Sequence, residues 1–367
     1  MTHRRIVGFS LVMCVAICSA AIARSQSATQ GVVQTVTVHG ASLEGNLLGI
    51  TADRPVSVYL PPGYNDTTTR YPVVVMLHAL GGSGVFFVGS YGFFGGPGQP
   101  DFNLRVLADR LITEGTIQPM ILVMPDASTP YGACFYANSP VCGNWDDFIT
   151  EDLVAYVDAH FRTLARPESR AVAGVDVGGY GALVLAMEHP DVYGAAYAVA
   201  PLNAAFVDPA SNSLYSPDAF AMMEPDRALG LSPAGYMDRV QLGMAAIASP
   251  DPERPPYYVD LPVEDVDGQL QQVDAVWQRW RAHTPLQMLP TYSSNLRKLR
   301  ALGIDVGSGD TEGNTLRNVS ALDEALTSAG IAHRFSVYQG TFVGAAVERL
   351  GSAALPFLSA ALEPGGQ

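Results

Sequence analysis

The run Ala173-Gly174-Val175-Asp176-Val177-Gly178-Gly179-Tyr180-Gly181-Ala182 decides how this chain is read. Residues 171–175 form a continuous apolar stretch of strand length, as a strand covered on both faces requires. Residues 177–188 open a helix. Asp176 stands at the strained turn between them, where Asp tolerates unusual backbone angles better than most residues. Its carboxylate there meets the free N–H groups and the favourable dipole end of the helix.

Outward from this point the same alternation continues. Residues 73–77 and 121–124 are further buried-strand runs, and 195–200, 304–307 and 334–337 complete the set. Residues 33–39 and 56–60 alternate apolar and polar side chains, the pattern of half-exposed antiparallel strands. Helical segments fall at 148–161, 321–329 and 344–362. Strands alternating with helices predict an α/β fold, a central mostly parallel sheet with helices on both faces. Residues 203–295 break this rhythm and are rich in Pro, Met and aromatic residues, among them Met222, Met223, Met237, Met244, Tyr257, Tyr258, Trp277 and Trp280. They read as an inserted cap over the carboxyl ends of the strands, where ligand sites form. Ordinary packing of the insertion also accounts for those side chains. The Gly/Phe-rich residues 84–98 read as a loop bordering the same cleft. No Lys-Ser/Thr follows, so phosphate binding is not implied.

The N-terminus reads as an export signal over residues 1–23, with Arg4 and Arg5 ahead of an apolar run and Ala21-Ile22-Ala23 as a cleavage site. A retained anchor is the alternative. Residues 24–32 read as a disordered mature N-terminus. The expected location is secreted or periplasmic, with no membrane contact after cleavage, because no later segment approaches the roughly 18 apolar residues of a span. The formal charge is −14 and Lys298 is the sole lysine, which argues against nucleic acid and anionic lipid partners. Cys134 and Cys142 predict a local disulfide in an exported chain, with two buried thiols as the alternative. Two thiols without a nearby histidine make an incomplete metal site. No cofactor motif is present.

Several motifs now align in order. They are Val58-Tyr59-Leu60-Pro61-Pro62-Gly63-Tyr64, His78-Ala79-Leu80-Gly81-Gly82, Met124-Pro125-Asp126, Gly143-Asn144-Trp145-Asp146-Asp147-Phe148, Met187-Glu188-His189-Pro190 and Leu355-Pro356-Phe357-Leu358. With the Asp176 segment they resemble the secreted esterases of the α/β-hydrolase superfamily, a group that includes esterase D, the feruloyl and enterochelin esterases and the mycolyltransferases. The resemblance runs from about residue 35 to 362. It implies the α/β-hydrolase fold, with Asp176 in the G-x-S-x-G nucleophile elbow where the family has serine.

The resemblance also implies the rest of the site. Oxyanion donors fall on the N–H of Val177 and of Leu80 or Ala79. The acid position falls on Asp310, which matches. The histidine position falls on Phe342, because Tyr338-Gln339-Gly340-Thr341 precede it and Glu348-Arg349 follow at the family spacing. Two of the three triad groups, the hydroxyl and the imidazole, are thus replaced. His78 matches a family histidine read as structural, and His283 is the one histidine considered as a substitute base.

Three chemistries follow. The first is a quenched site, with a carboxylate oxygen in the oxyanion hole and a role in binding a small acyl or carbohydrate-ester ligand. The second is an active hydrolase using Asp176 as nucleophile or a relocated base. The third uses Asp176 and Asp310 as a carboxylate pair for acid/base work or a metal. The first is the leading expectation and the second its main alternative.

Overall fold

The structure, a computed structural model, describes residues 30–88, 103–207, 212–222 and 235–364. The signal segment, residues 24–29, most of the 84–98 loop and part of the insertion lie outside the described residues. Eight strands form one sheet: β1 (Val32–His39), β2 (Asp53–Leu60), β3 (Val73–Leu77), β4 (Ile121–Pro125), β5 (Arg170–Val175), β6 (Ala195–Val199), β7 (Ala301–Gly307) and β8 (Arg334–Tyr338). Their spatial order is β1-β2-β4-β3-β5-β6-β7-β8. β1 pairs antiparallel with β2, and β2 with β4. All other neighbours are parallel.

Helices lie on both faces: α1 (Leu104–Thr113), α2 (Leu153–His160), α3 (Val177–Glu188), α4 (Tyr236–Ala248), α5 (Asp274–Ala282), α6 (Pro285–Leu296), α7 (Thr315–Ser328), α8 (Phe342–Arg349) and α9 (Leu355–Ala361). The strands β3, β4, β5 and β6 are buried at every residue, which is why they are unbroken apolar runs. Apolar residues on the two sheet faces feed two separate core clusters.

The structure corrects several boundaries. β1 begins at Val32, which pairs with Leu60, so the tail expected over residues 24–32 is already paired at its end. β2 is buried over most of its length instead of half-exposed, because both its faces pack into core, Val56, Val58 and Leu60 in one cluster and Tyr59 in the other. The helix expected at 148–161 starts at Trp145 and passes through a wider turn at Phe148–Asp152. The insertion contributes α4, α5 and α6 and a hairpin of Val263–Val266 with Gln269–Gln272. Its aromatic residues largely pack together: Trp277 and Trp280 are buried and share ring contacts with Tyr215. Among the described residues no helix is long and apolar enough to cross a membrane. Cys134 and Cys142 are joined by a disulfide.

Candidate active site

Asp176 is the single residue between β5 and α3, at φ 60° and ψ −120°. Residues with a Cβ occupy that region only when the surroundings enforce it. Glycines permit the enforcement. A Cβ on Gly174 would lie 2.1 Å from the Gly178 carbonyl oxygen, and one on Gly178 would lie 2.3 Å from that of Leu77. Backbones of β3, β5 and α3 therefore touch directly, and the turn has no room to relax.

The Asp176 side chain is only 2% exposed. Leu80 N–H donates to its Oδ2 at 3.0 Å, and the neighbouring Val177 N–H favours the charged form of the carboxyl. The Tyr236 hydroxyl donates to Oδ1 at 3.3 Å. The carboxylate thus takes up Leu80 N–H, one of the backbone groups expected to serve an oxyanion. Of the two candidates for the first donor, Leu80 is the one whose N–H faces Asp176. Ala79 is used through its carbonyl, which accepts from Gly82 N–H and faces His78 Nδ1. Burial pushes the Asp176 carboxyl up to about 7, opposed by the Leu80, Val177 and Tyr236 hydrogen bonds and assisted by the charge of Glu312.

Asp310 follows β7 and is 5% exposed. Its Oδ2 accepts from Gly307 N–H at 2.7 Å and its Oδ1 from Phe342 N–H at 2.8 Å. Burial raises its pKa, and those two backbone bonds lower it. Phe342 opens α8, so the backbone of the residue at the histidine position, instead of an imidazole, meets the acid. Asp176, Asp310 and Phe342 line one cavity of about 150 Å³. The three positions, 32 to 166 residues apart in sequence, are brought together.

The histidines lie elsewhere. His78 is fully buried, and Ala127 N–H donates to its Nε2 at 3.0 Å, which leaves the proton on Nδ1 to donate to the Ala79 carbonyl. Burial lowers its pKa to about 4, so it stays neutral and clamps the backbone that presents Leu80. His283 points Nδ1 at the Arg279 carbonyl and does not line the cavity. The considered substitute base is therefore absent from this site.

Two lining groups escaped the sequence reading. Tyr236 comes from the start of α4 in the insertion, and Glu312 from the turn after Asp310. Glu312 is surface-exposed at the rim, yet burial of its carboxyl by neighbouring protein raises its pKa. Neither residue sits in a recognisable motif. Elsewhere, Asp146, Glu188 and His189 bring one ligand atom each within 4.8 Å at the far end of α3. There Asp146 Oδ1 and His189 Nε2 lie 2.7 Å apart, and that contact raises the His189 pKa. Glu188 is pushed up to about 7 by burial and then by Asp146.

The fold and the cleft define an α/β-hydrolase of esterase type. The chain belongs to the "Putative esterase" family, whose profile matches residues 49–343. A stretch of 139 residues is 34% identical to Esterase Rv1288 of Mycobacterium tuberculosis, covering 36% of this chain and 26% of that relative. The match thus spans only about a quarter of the curated relative. A solved ferulic acid esterase superposes with a TM-score of 0.59 at 19% identity, over 91% of this chain and all of that one. A ferulic acid esterase from Anaeromyces mucronatus, in complex with ferulic acid, gives 0.50 at 17% identity over 90% and 91% of the two chains. At these identities the likeness is one of fold.

Proposed function

We propose that this chain is an exported esterase-family protein that has lost serine-hydrolase chemistry and binds a small molecule in the inherited cleft. One observation carries the reading: the Asp176 carboxylate lies on Leu80 N–H at 3.0 Å, where a reacting carbonyl oxygen would need to sit. Phe342 supplies no proton acceptor in place of the histidine. In subtilisin, loss of the serine or histidine alone costs about 10⁶ in turnover, and a residual of roughly 10³–10⁴ over water comes from the oxyanion hole and binding. Here the residual is also forfeited, because the hole is filled. The Cys134–Cys142 disulfide supports an oxidising compartment. Relatives that carry ferulic acid suggest the size of ligand, and by family analogy an acyl or carbohydrate ester.

The alternative is a working hydrolase with Asp176 as nucleophile, favoured by its place in the elbow and on the cavity wall. That route forms an ester or anhydride on Asp176 and then needs a base to activate water. Among the described residues no histidine lines the cavity. A carboxylate held by Leu80 N–H is also a weak nucleophile.

The test is restoration. Mature native protein, Asp176→Ser, Phe342→His and the double variant are assayed on 4-nitrophenyl acetate and methyl ferulate. Turnover in the double variant alone supports a sound scaffold with a quenched site. Turnover in the native protein contradicts it.

A further inference from the structure

Leu80 N–H, a backbone donor that would polarise a substrate carbonyl, already serves Asp176. The rest of the cavity wall is rich in acceptors. Asp176, Asp310 and Glu312 contribute carboxylates, and Tyr236 and Thr315 contribute hydroxyls. Among the described residues no lysine, arginine or histidine lines the cavity. Glu312 adds its charge to that of Asp176, and both charges act on Tyr236. Tyr136 and Tyr215, which feel the Asp176 charge from its other sides, are phenols whose pKa values are raised by burial, so they stay neutral. The titratable side chains that interact with Asp176 are therefore an acid, Glu312, and neutral phenols. The whole chain, at −14, extends the same sign outward and draws cations toward the surface.

An ester carbonyl entering this cavity would find Leu80 N–H already engaged by Asp176 and three carboxylates on the wall. An ammonium or guanidinium would bring donors that form charge-assisted hydrogen bonds with carboxylates. The mouth side offers Phe342 and Val343 to an attached apolar group. A volume of about 150 Å³ admits a cationic head and a few further heavy atoms.

We propose that the deep end of the cavity takes a cationic group, an alkylammonium or guanidinium on a small ligand, in place of the acyl carbonyl for which the scaffold is built. The proposal rests on the reading of the site as closed to acyl transfer and narrows its ligand class. Binding is linked to protons, because a cation favours the ionised form of a carboxyl that titrates near pH 7. Affinity rises with pH, by roughly tenfold between pH 6 and pH 8, while an alkylammonium stays charged throughout.

Calorimetry on the mature native protein with four matched probes tests this: 2-phenylethylammonium, 2-phenylethanol, phenylacetate and methyl phenylacetate. The ammonium binds at least tenfold more tightly than the other three, and its affinity falls toward pH 6. Asp176→Asn and Glu312→Gln, each shown to be folded by its melting curve, both weaken that preference. Equal or tighter binding of the ester or the carboxylate overturns the proposal. So does failure of all four probes to bind, or a preference unchanged in both variants. Such a result in a protein that hydrolyses no ester removes the ligand class alone. Native ester turnover removes the closed-site reading instead.

Discussion

Asp176 is held in a region of backbone space that side chains avoid, with almost no water around its carboxyl, so its ionisation bears on folding. Its pKa in the folded protein is about 7, against an ordinary value of 3.8. The folded state binds this proton more tightly than the unfolded chain. The associated stability is complete below about pH 4 and is lost as pH rises toward about 7. Asn at the same position keeps the shape and removes the titration. Asp176→Asn therefore flattens the pH dependence of the melting temperature between about pH 4 and pH 8, and it gains up to about 4 kcal/mol over the native protein at the upper end. Thermal melts followed by circular dichroism check this, and parallel curves for the two proteins would contradict it.

Individual residues also show where sequence suffices. Asp176, Asp310 and Phe342 are legible because each is bracketed by neighbours at family spacing. Leu80 is legible to within one residue, because the choice between it and Ala79 depends on which N–H the chain turns inward. Tyr236 and Glu312 are not legible. Their approach to Asp176 depends on how the insertion and the β7 loop fold back, and no local period or motif records it.

At the scale of elements, α8 matters because its first residue, Phe342, forms part of the cavity wall. Its last residue, Arg349, anchors it: Nε donates to Asp305 Oδ2 at 2.8 Å, and the guanidinium lies 5.0 Å from the Tyr338 ring. Asp305 is wholly buried on β7. Burial raises its pKa in spite of Arg349, so the pair is in balance only while both partners are present. Arg349→Met leaves that charge unpaired and costs about 3–5 kcal/mol in urea unfolding. Adding Asp305→Asn recovers most of the loss. A double variant as unstable as the single one would show that Arg349 acts through packing instead.

The strands were legible as apolar runs because the central ones are covered on both faces. The errors fall where tertiary context overrides pattern. β2 alternates in sequence yet is mostly buried, because core side chains cover both of its faces. α7 begins at Thr315, ahead of the apolar residues that announce it. The run expected at 344–362 widens at Leu350–Ala354, just ahead of Pro356. Proline there lacks an N–H and crowds the carbonyl four residues back.

Over the whole molecule, the chain keeps the fold of the esterase family, while the cavity beside Asp176 carries three carboxylates. The family and fold were legible because many motifs spread along the chain agree. The chemistry was legible only as two substitutions. What the folded geometry adds is the contact of the Asp176 carboxylate with Leu80 N–H. The most direct measurement is the hydrolysis of 4-nitrophenyl acetate by the mature native protein beside Asp176→Ala. With the site shut by its own side chain, the native protein is no faster than the alanine variant. Turnover by the native protein that disappears in Asp176→Ala would contradict the account.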